Sequence, residues 1–161
     1  MAPETHPDTP PETRNDGFGL ARTHRTLPIA LLRAREVVME RFRPMLAAND
    51  VTEQQWRVMR VLEEAGETDA SFLANKACIL APSLTRIMRT LEARGFIQAH
   101  RDEADGRRTL VELTNAGRAF LHELAPTSAA IYADIEAKVG QDKIEVLLDQ
   151  IEDLLSALES H

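Results

Sequence analysis

A chain of 161 residues, 43% hydrophobic but only 4% aromatic, can bury one substantial core, and its single cysteine excludes a disulfide framework or a zinc site built on several cysteines. The formal net charge of −7 argues at first sight against a nucleic-acid partner. No apolar run approaches a membrane span and no basic segment leads into an apolar stretch at the N-terminus, so a cytoplasmic protein with no membrane partner is expected.

Residues 1–26 carry Pro3, Pro7, Pro10 and Pro11 among polar residues and read as a flexible tail. A long first helix is expected from Leu27 to about Asn49-Asp50. Pro28 suits its first turn, and Ile29, Leu32, Val37, Phe42 and Met45 lie near one broad face. A second helix opens at Thr52, where Gln55 three positions on completes a capping box, and Gly66 stops it. Two short helices follow, Asp69 to Ala77 and Ala81 to Arg94, separated by Cys78-Ile79-Leu80. Phe96 to Arg101 and Arg108 to Leu113 are β-type runs around a polar tip with a turn glycine. Thr114 caps a helix reaching about Val139, Gly140 breaks it, and an amphipathic last helix carries Ile144, Leu147, Leu148, Ile151, Leu154, Leu155 and Leu158. That order predicts a mostly α fold with a small β-wing: a winged helix-turn-helix with helical arms from both ends of the chain.

Charge follows this division. From Leu80 to Arg108 six arginines face four acids, whereas from Thr114 to His161 nine acids face three bases. A basic middle between acidic flanks lets one face meet phosphate while the rest repels it.

The helix from Ala81 is the most informative segment. Leu84, Ile87, Met88 and Leu91 make a core face at i, i+3, i+4 and i+7, and the opposite face carries Ser83, Thr85, Arg86, Arg89 and Thr90. Short hydroxyls and guanidinium groups are the side chains that read base edges or hold phosphates in a major groove. Pro82 pre-sets the first turn and leaves N–H groups beyond it to face a phosphate. An ordinary amphipathic helix with a solvated arginine face has the same pattern, and the hairpin tips the balance. Its tip carries Arg107 and Arg108 directly after Asp105-Gly106, the make-up of a wing that inserts arginine into a minor groove. Asp105 is expected to orient the Arg107 guanidinium by a bidentate pair.

These segments together resemble the DNA-binding lobe of the MarR family, whose wing carries Asp-x-Arg followed by Leu-Thr-x-x-Gly. This chain has Asp105-Gly106-Arg107 and then Leu113-Thr114-Asn115-Ala116-Gly117. Ser83-Leu84-Thr85-Arg86 matches the family's recognition helix, and the likeness covers about Leu27 to Leu158. The runs IALLRAREVVMERFRPML, VTEQQWRVMRVL and ACILAPSLT are similar to the subgroup that controls degradation of homoprotocatechuate (hydroxyphenylacetate) and other aromatic acids. That subgroup usually has arginine where Ala81 stands, which implies a different operator or one phosphate contact fewer.

The resemblance implies one domain over 27–161, with 51–113 as the DNA-binding lobe and the helices of 27–50 and 114–161 pairing with those of a second chain. Packing within one chain is the alternative, but it would leave Phe42, Leu148, Ile151 and Leu155 partly uncovered. A homodimer on double-stranded DNA calls for a pseudo-palindromic operator. The resemblance also implies a small aromatic acid as effector, and repression released on its binding. Arg35 and Met39 on the first helix, with Trp56 and Arg60 on the second, supply the cation and apolar surface such an anion needs. An ordinary core tryptophan with surface arginines is the plainer reading of the same four.

No enzyme is expected, and no cofactor or metal. Cys78, between Ala77 and Ile79, reads as a buried small hydrophobe, and His100 and His122 have no neighbours at metal-ligand spacing. The alternatives are a MarR-type repressor or activator answering another ligand or stress, and a winged helix that binds protein instead of DNA.

Overall fold

The computed structural model describes residues 22–160, and the expected tail lies outside them except for residues 22–26. The chain divides into two units after Arg41. In the first unit a 3-10 turn at Thr23–Arg25 leads into helix α1, Leu27–Met39, with Pro28 in its first turn and no buried residue.

The long first helix is not continuous. Residues 40–42 form a turn, and a second helix, α2, runs over Arg43–Ala48. Pro44 explains the break: it has no N–H for the Glu40 carbonyl, and its ring clashes with that carbonyl in a continuous helix. It sits instead in the first turn of α2, where its missing donor costs nothing. Phe42, Met45 and Leu46 are buried, so this segment joins the core of the second unit. The expectation of a half-covered Phe42 is thereby corrected.

Helix α3, Glu53–Ala65, opens on the expected capping box. Thr52 Oγ1 accepts the Gln55 N–H and Gln55 Oε1 accepts the Thr52 N–H, each at 3.1 Å. Gly66, at φ +72°, ends it. Helix α4 (Ala70–Ala77) is capped by Asp69, and α5 (Ala81–Ala93) ends at Arg94. Strands β2 (Ile97–Arg101) and β3 (Thr109–Leu113) pair antiparallel with Ile97 opposite Leu113 and Arg101 opposite Thr109.

The sheet has a third strand beyond the two β-type runs of the wing. β1, Thr68–Asp69, pairs antiparallel with β3, giving the sheet order β1-β3-β2. Two residues are too short for any alternation; their pairing is settled by β3, some forty residues away in sequence. Helix α6, Asn115–Val139, and helix α7, Gln141–Glu159, complete the chain.

The core lies under the sheet among α3, α4, α5 and the start of α6, where Val58, Met59, Leu62, Leu73, Leu91 and Val111 are fully or almost fully buried. Each such side chain contributes roughly 1.5–3 kcal/mol by leaving water. Helix α7 buries nothing, and Leu147, Leu148, Leu155 and Leu158 stand about half or more exposed on it. No helix among the described residues is long and apolar enough to cross a membrane.

Candidate nucleic-acid interface and ligand cleft

Two helices joined by a tight turn position the first set of candidate residues. Cys78 takes the left-handed conformation at φ +53°, ending α4, and the Ile79 N–H returns to the Ala74 carbonyl at 2.9 Å. Ile79 is buried and anchors the turn, while Cys78 is exposed. The expectation of a buried cysteine is corrected: in this cap the flanking Ala77 and Ile79 face the core.

On α5, Leu84, Ile87 and Leu91 are buried as their spacing requires, and Pro82, Thr85, Arg86, Arg89 and Thr90 are exposed with Ser83 half-buried. The Thr85 hydroxyl donates to the Ala81 carbonyl at 3.2 Å, which leaves its oxygen free to accept a further bond.

The six arginines between residues 80 and 108 split into two groups. Three are engaged within the chain. Arg94 donates to the carbonyls of Asn49 and Asp50 and lies over the Phe96 ring at 4.7 Å. Arg101 donates to the Gly106 carbonyl at 3.1 Å, tying strand β2 to the wing tip. Arg108 reaches Asp69 Oδ2 at 3.0 Å and Asp102 Oδ2 at 3.6 Å, bracing the base of the wing against the cap of α4. The Phe72 N–H donates to Asp69 Oδ1 at 2.8 Å. That bond first, and Arg108 with it, hold the Asp69 carboxyl below its ordinary value against the opposing effect of burial.

The other three, Arg86, Arg89 and Arg107, point into solvent with no carboxylate partner among the described residues. Asp105 does not clamp the Arg107 guanidinium. Its Oδ1 accepts the Arg107 backbone N–H at 3.1 Å, and its carbonyl accepts the Arg108 N–H at 2.9 Å. Two residues is the natural reach of an Asx turn, so the carboxylate shapes the loop and leaves the guanidinium unencumbered.

The Leu-Thr-x-x-Gly element locks the wing to α6. Thr114 Oγ1 accepts the Gly117 N–H at 3.1 Å and its hydroxyl donates to the Gly95 carbonyl, while the Thr114 N–H donates to the Phe96 carbonyl at 3.0 Å.

A second feature is a cleft of about 270 Å³ between α3 and α6. Trp56, Arg60 and Glu63 line one wall, and His122, Ser128 and Tyr132 the other. Phe42 supports both aromatics, with its ring centroid 5.6 Å from Trp56 and 5.0 Å, edge-on, from Tyr132. Glu63 pairs with Arg60 and stands 3.6 Å from His122 Nε2. Trp56 and Arg60 therefore share a cleft. Arg35 and Met39 lie on α1 in the first unit, Arg35 exposed with Glu36 at 3.3 Å and Met39 half-buried. Sequence reasoning missed Glu63, His122 and Tyr132, although the spacing Trp56, Arg60, Glu63 marks one helix face.

Two helices joined by a tight turn, the second bearing an outward cationic face, followed by a β-wing with a cationic tip, define a winged helix-turn-helix protein. Residues 51–109 match the MarR family. The chain is 39% identical over 131 residues to the HTH-type transcriptional regulator FarR of Neisseria gonorrhoeae, covering 81% of this chain and 90% of that one. It is 37% identical over 133 residues to the homoprotocatechuate degradative operon repressor of Escherichia coli, covering 83% and 90%. Among solved structures, NadR in complex with 4-hydroxyphenylacetate superposes with a TM-score of 0.74 at 38% identity, covering 83% of this chain and 95% of that one. The repressor CouR bound to a 23-mer DNA duplex gives 0.73 at 28% identity, covering 80% and 92%. This chain belongs to the MarR family of transcriptional regulators.

Proposed function

We propose that this MarR-family regulator is a cytoplasmic homodimer that represses an aromatic-acid catabolic operon and releases its DNA when a small aromatic acid binds. The division of the arginines carries the DNA-binding part: Arg94, Arg101 and Arg108 are held by the chain, and Arg86, Arg89 and Arg107 are left for a partner. Fixed cations on a helix and a wing suit a duplex, whose phosphates attract them and whose guanines accept arginine bidentately. Pro82, Ser83 and Thr85 complete the helix contact, with Arg108 setting the base of the wing.

The dimer rests on the apolar surface of the terminal helices. Helices α1 and α7 bury no residue, and each carries several exposed leucines or valines. Helices within 27–50 and 114–161 pair two copies around the 51–113 lobe, and the acids of α6 and α7 keep that region off DNA. A two-fold dimer places its half-sites ~10 bp apart or at a multiple of that spacing.

The effector reading is supported by the cleft, which offers indole and phenol walls, a serine hydroxyl and the Arg60 guanidinium, which an incoming acid would share with Glu63. Similarity to the homoprotocatechuate repressor and to NadR with 4-hydroxyphenylacetate favours a phenolic acid as the occupant. Arg35 and Met39, on α1, are also proposed as effector-binding residues. A ligand changes DNA affinity only by its differential affinity for the two arrangements of the dimer. A gel shift on duplexes selected from a random pool, repeated over 50–200 mM salt as an order-of-magnitude range, tests the core of the proposal. A shifted complex that weakens steeply with salt and dissolves on adding 4-hydroxyphenylacetate supports it. A chain that retards no duplex refutes it.

A further inference from the structure

We propose that Leu80 reads a thymine methyl group in the major groove, as a sequence-determining residue ahead of the recognition helix. The inference rests on the DNA-binding role proposed above.

Leu80 is 79% exposed, more than any other large hydrophobic residue among those described. It is also the N-cap residue of α5, with extended backbone at φ −66° and ψ 143°. Helices α3, α4 and α6 open on Thr52, Asp69 and Thr114, whose side-chain oxygens accept a backbone N–H of the first turn, whereas α1, α2, α5 and α7 have no such bond. Leucine can accept nothing, and α5 has no side-chain cap bond. Helix α5 thus forgoes a capping oxygen and also holds an isobutyl group in water.

The described residues leave the Leu80 side chain largely uncovered, and its position says what would cover it. The first residues of a recognition helix are those that meet base edges. Ala81 and Pro82, the next two residues, are exposed and have no polar side-chain atom. Leu80, Ala81 and Pro82 make an apolar tip followed on the same helix by the outward cations Arg86 and Arg89. Arginines matched to phosphate or guanine select DNA as the partner of this surface, and the one apolar group a major groove offers is the thymine C5 methyl.

The test uses the full-length protein and a duplex selected from a random pool, whose thymines are then replaced one at a time by uracil. Uracil removes the methyl group and keeps every hydrogen-bonding atom. For the unmodified protein, one thymine per half-site should lose affinity on conversion by about fourfold, the equivalent of one buried methyl group. Leu80→Ala should bind the thymine duplex more weakly by a similar or larger factor and should be indifferent to that same conversion. Because Leu80 is exposed, its replacement should leave the circular dichroism and melting curve unchanged. If Leu80→Ala responds to every conversion as the unmodified protein does, or if no conversion matters, the assignment is wrong and the DNA-binding role stands. A chain that enriches no duplex removes both.

Discussion

Gly117 lies against the carbonyl of Phe96 so closely that a β-carbon added to it would sit 2.1 Å from that oxygen and 3.1 Å from Leu113 Cδ2. The obstacle is backbone, which cannot swing aside as a side-chain end would. The glycine lets the first turn of α6 close over the entrance to strand β2, where the Phe96 carbonyl also accepts the Thr114 N–H. Gly117→Ala should therefore destabilise the chain by about 1–3 kcal/mol or more, as overpacking does. Gly106→Ala, at a tip with open space around it, should change stability little. Urea unfolding of both variants checks the contrast, and equal midpoints would contradict the packing described.

The carboxyl of Asp69 gives the fold a pH dependence of known sign. Its value is held down by the Phe72 N–H and by Arg108, so protonation penalises the folded chain more than the unfolded one. Its contribution is complete above the ordinary carboxylate range and is lost as the pH falls through the depressed value. Asp69→Asn, which keeps a capping oxygen but not the charge, should be less stable than the parent near neutrality. The gap should shrink in acid. Parallel stability curves from neutral pH to about pH 3 would show that this carboxyl contributes nothing specific.

Arg86→Ala and Arg89→Ala should each cost about 1–3 kcal/mol on the selected duplex and relax preference at one base position. Arg107→Ala should weaken binding more evenly across sequences and flatten the salt dependence. Arg108→Ala should act differently again, since its guanidinium braces the wing: its loss should lower the melting temperature along with affinity. Fluorescence anisotropy at several salt concentrations, beside melting curves, separates the three behaviours.

For the cleft, 4-hydroxyphenylacetate should quench or shift the emission of Trp56, the single tryptophan of the chain. Arg60→Ala should abolish the response while leaving DNA affinity in the absence of ligand nearly unchanged. Tyr132→Phe should weaken it by roughly three- to tenfold if the phenol donates a hydrogen bond to the acid. A full response from Arg60→Ala would place the ligand elsewhere.

The apolar face of α7 makes a prediction about assembly. Leu148→Glu combined with Leu155→Glu puts charge on two half-exposed leucines and should yield a monomer in sedimentation, with its fold intact by circular dichroism. Dimers at micromolar concentration would locate the interface on another surface.

Much of this molecule is written in local chemistry, and that part was legible in the sequence. Thr52 with Gln55, Thr114 with Gly117, and Gly66 and Gly140 mark helix ends by interactions spanning four residues or fewer, and each lies where the pattern put it. Pro44 was equally legible as a breaker, yet the apolar spacing on both sides of it suggested one helix. What the sequence withheld depends on distant partners. β1 exists because β3 runs beside it, and Arg94 and Arg108 are occupied by groups 39 to 45 residues away. No periodicity distinguishes those arginines from Arg86 and Arg89, so the sequence overstated how many cations are available. It also aimed Asp105 at the wrong part of Arg107.

The left-handed cap at Cys78 has a practical consequence. It holds the only thiol of the chain outside the core, three residues before α5 begins. A nitroxide attached there requires no engineered site and no removal of competing cysteines. In the proposed two-fold dimer the pair of spin labels would act as a molecular ruler, reporting how far apart the two copies of α5 stand with and without 4-hydroxyphenylacetate or a selected duplex.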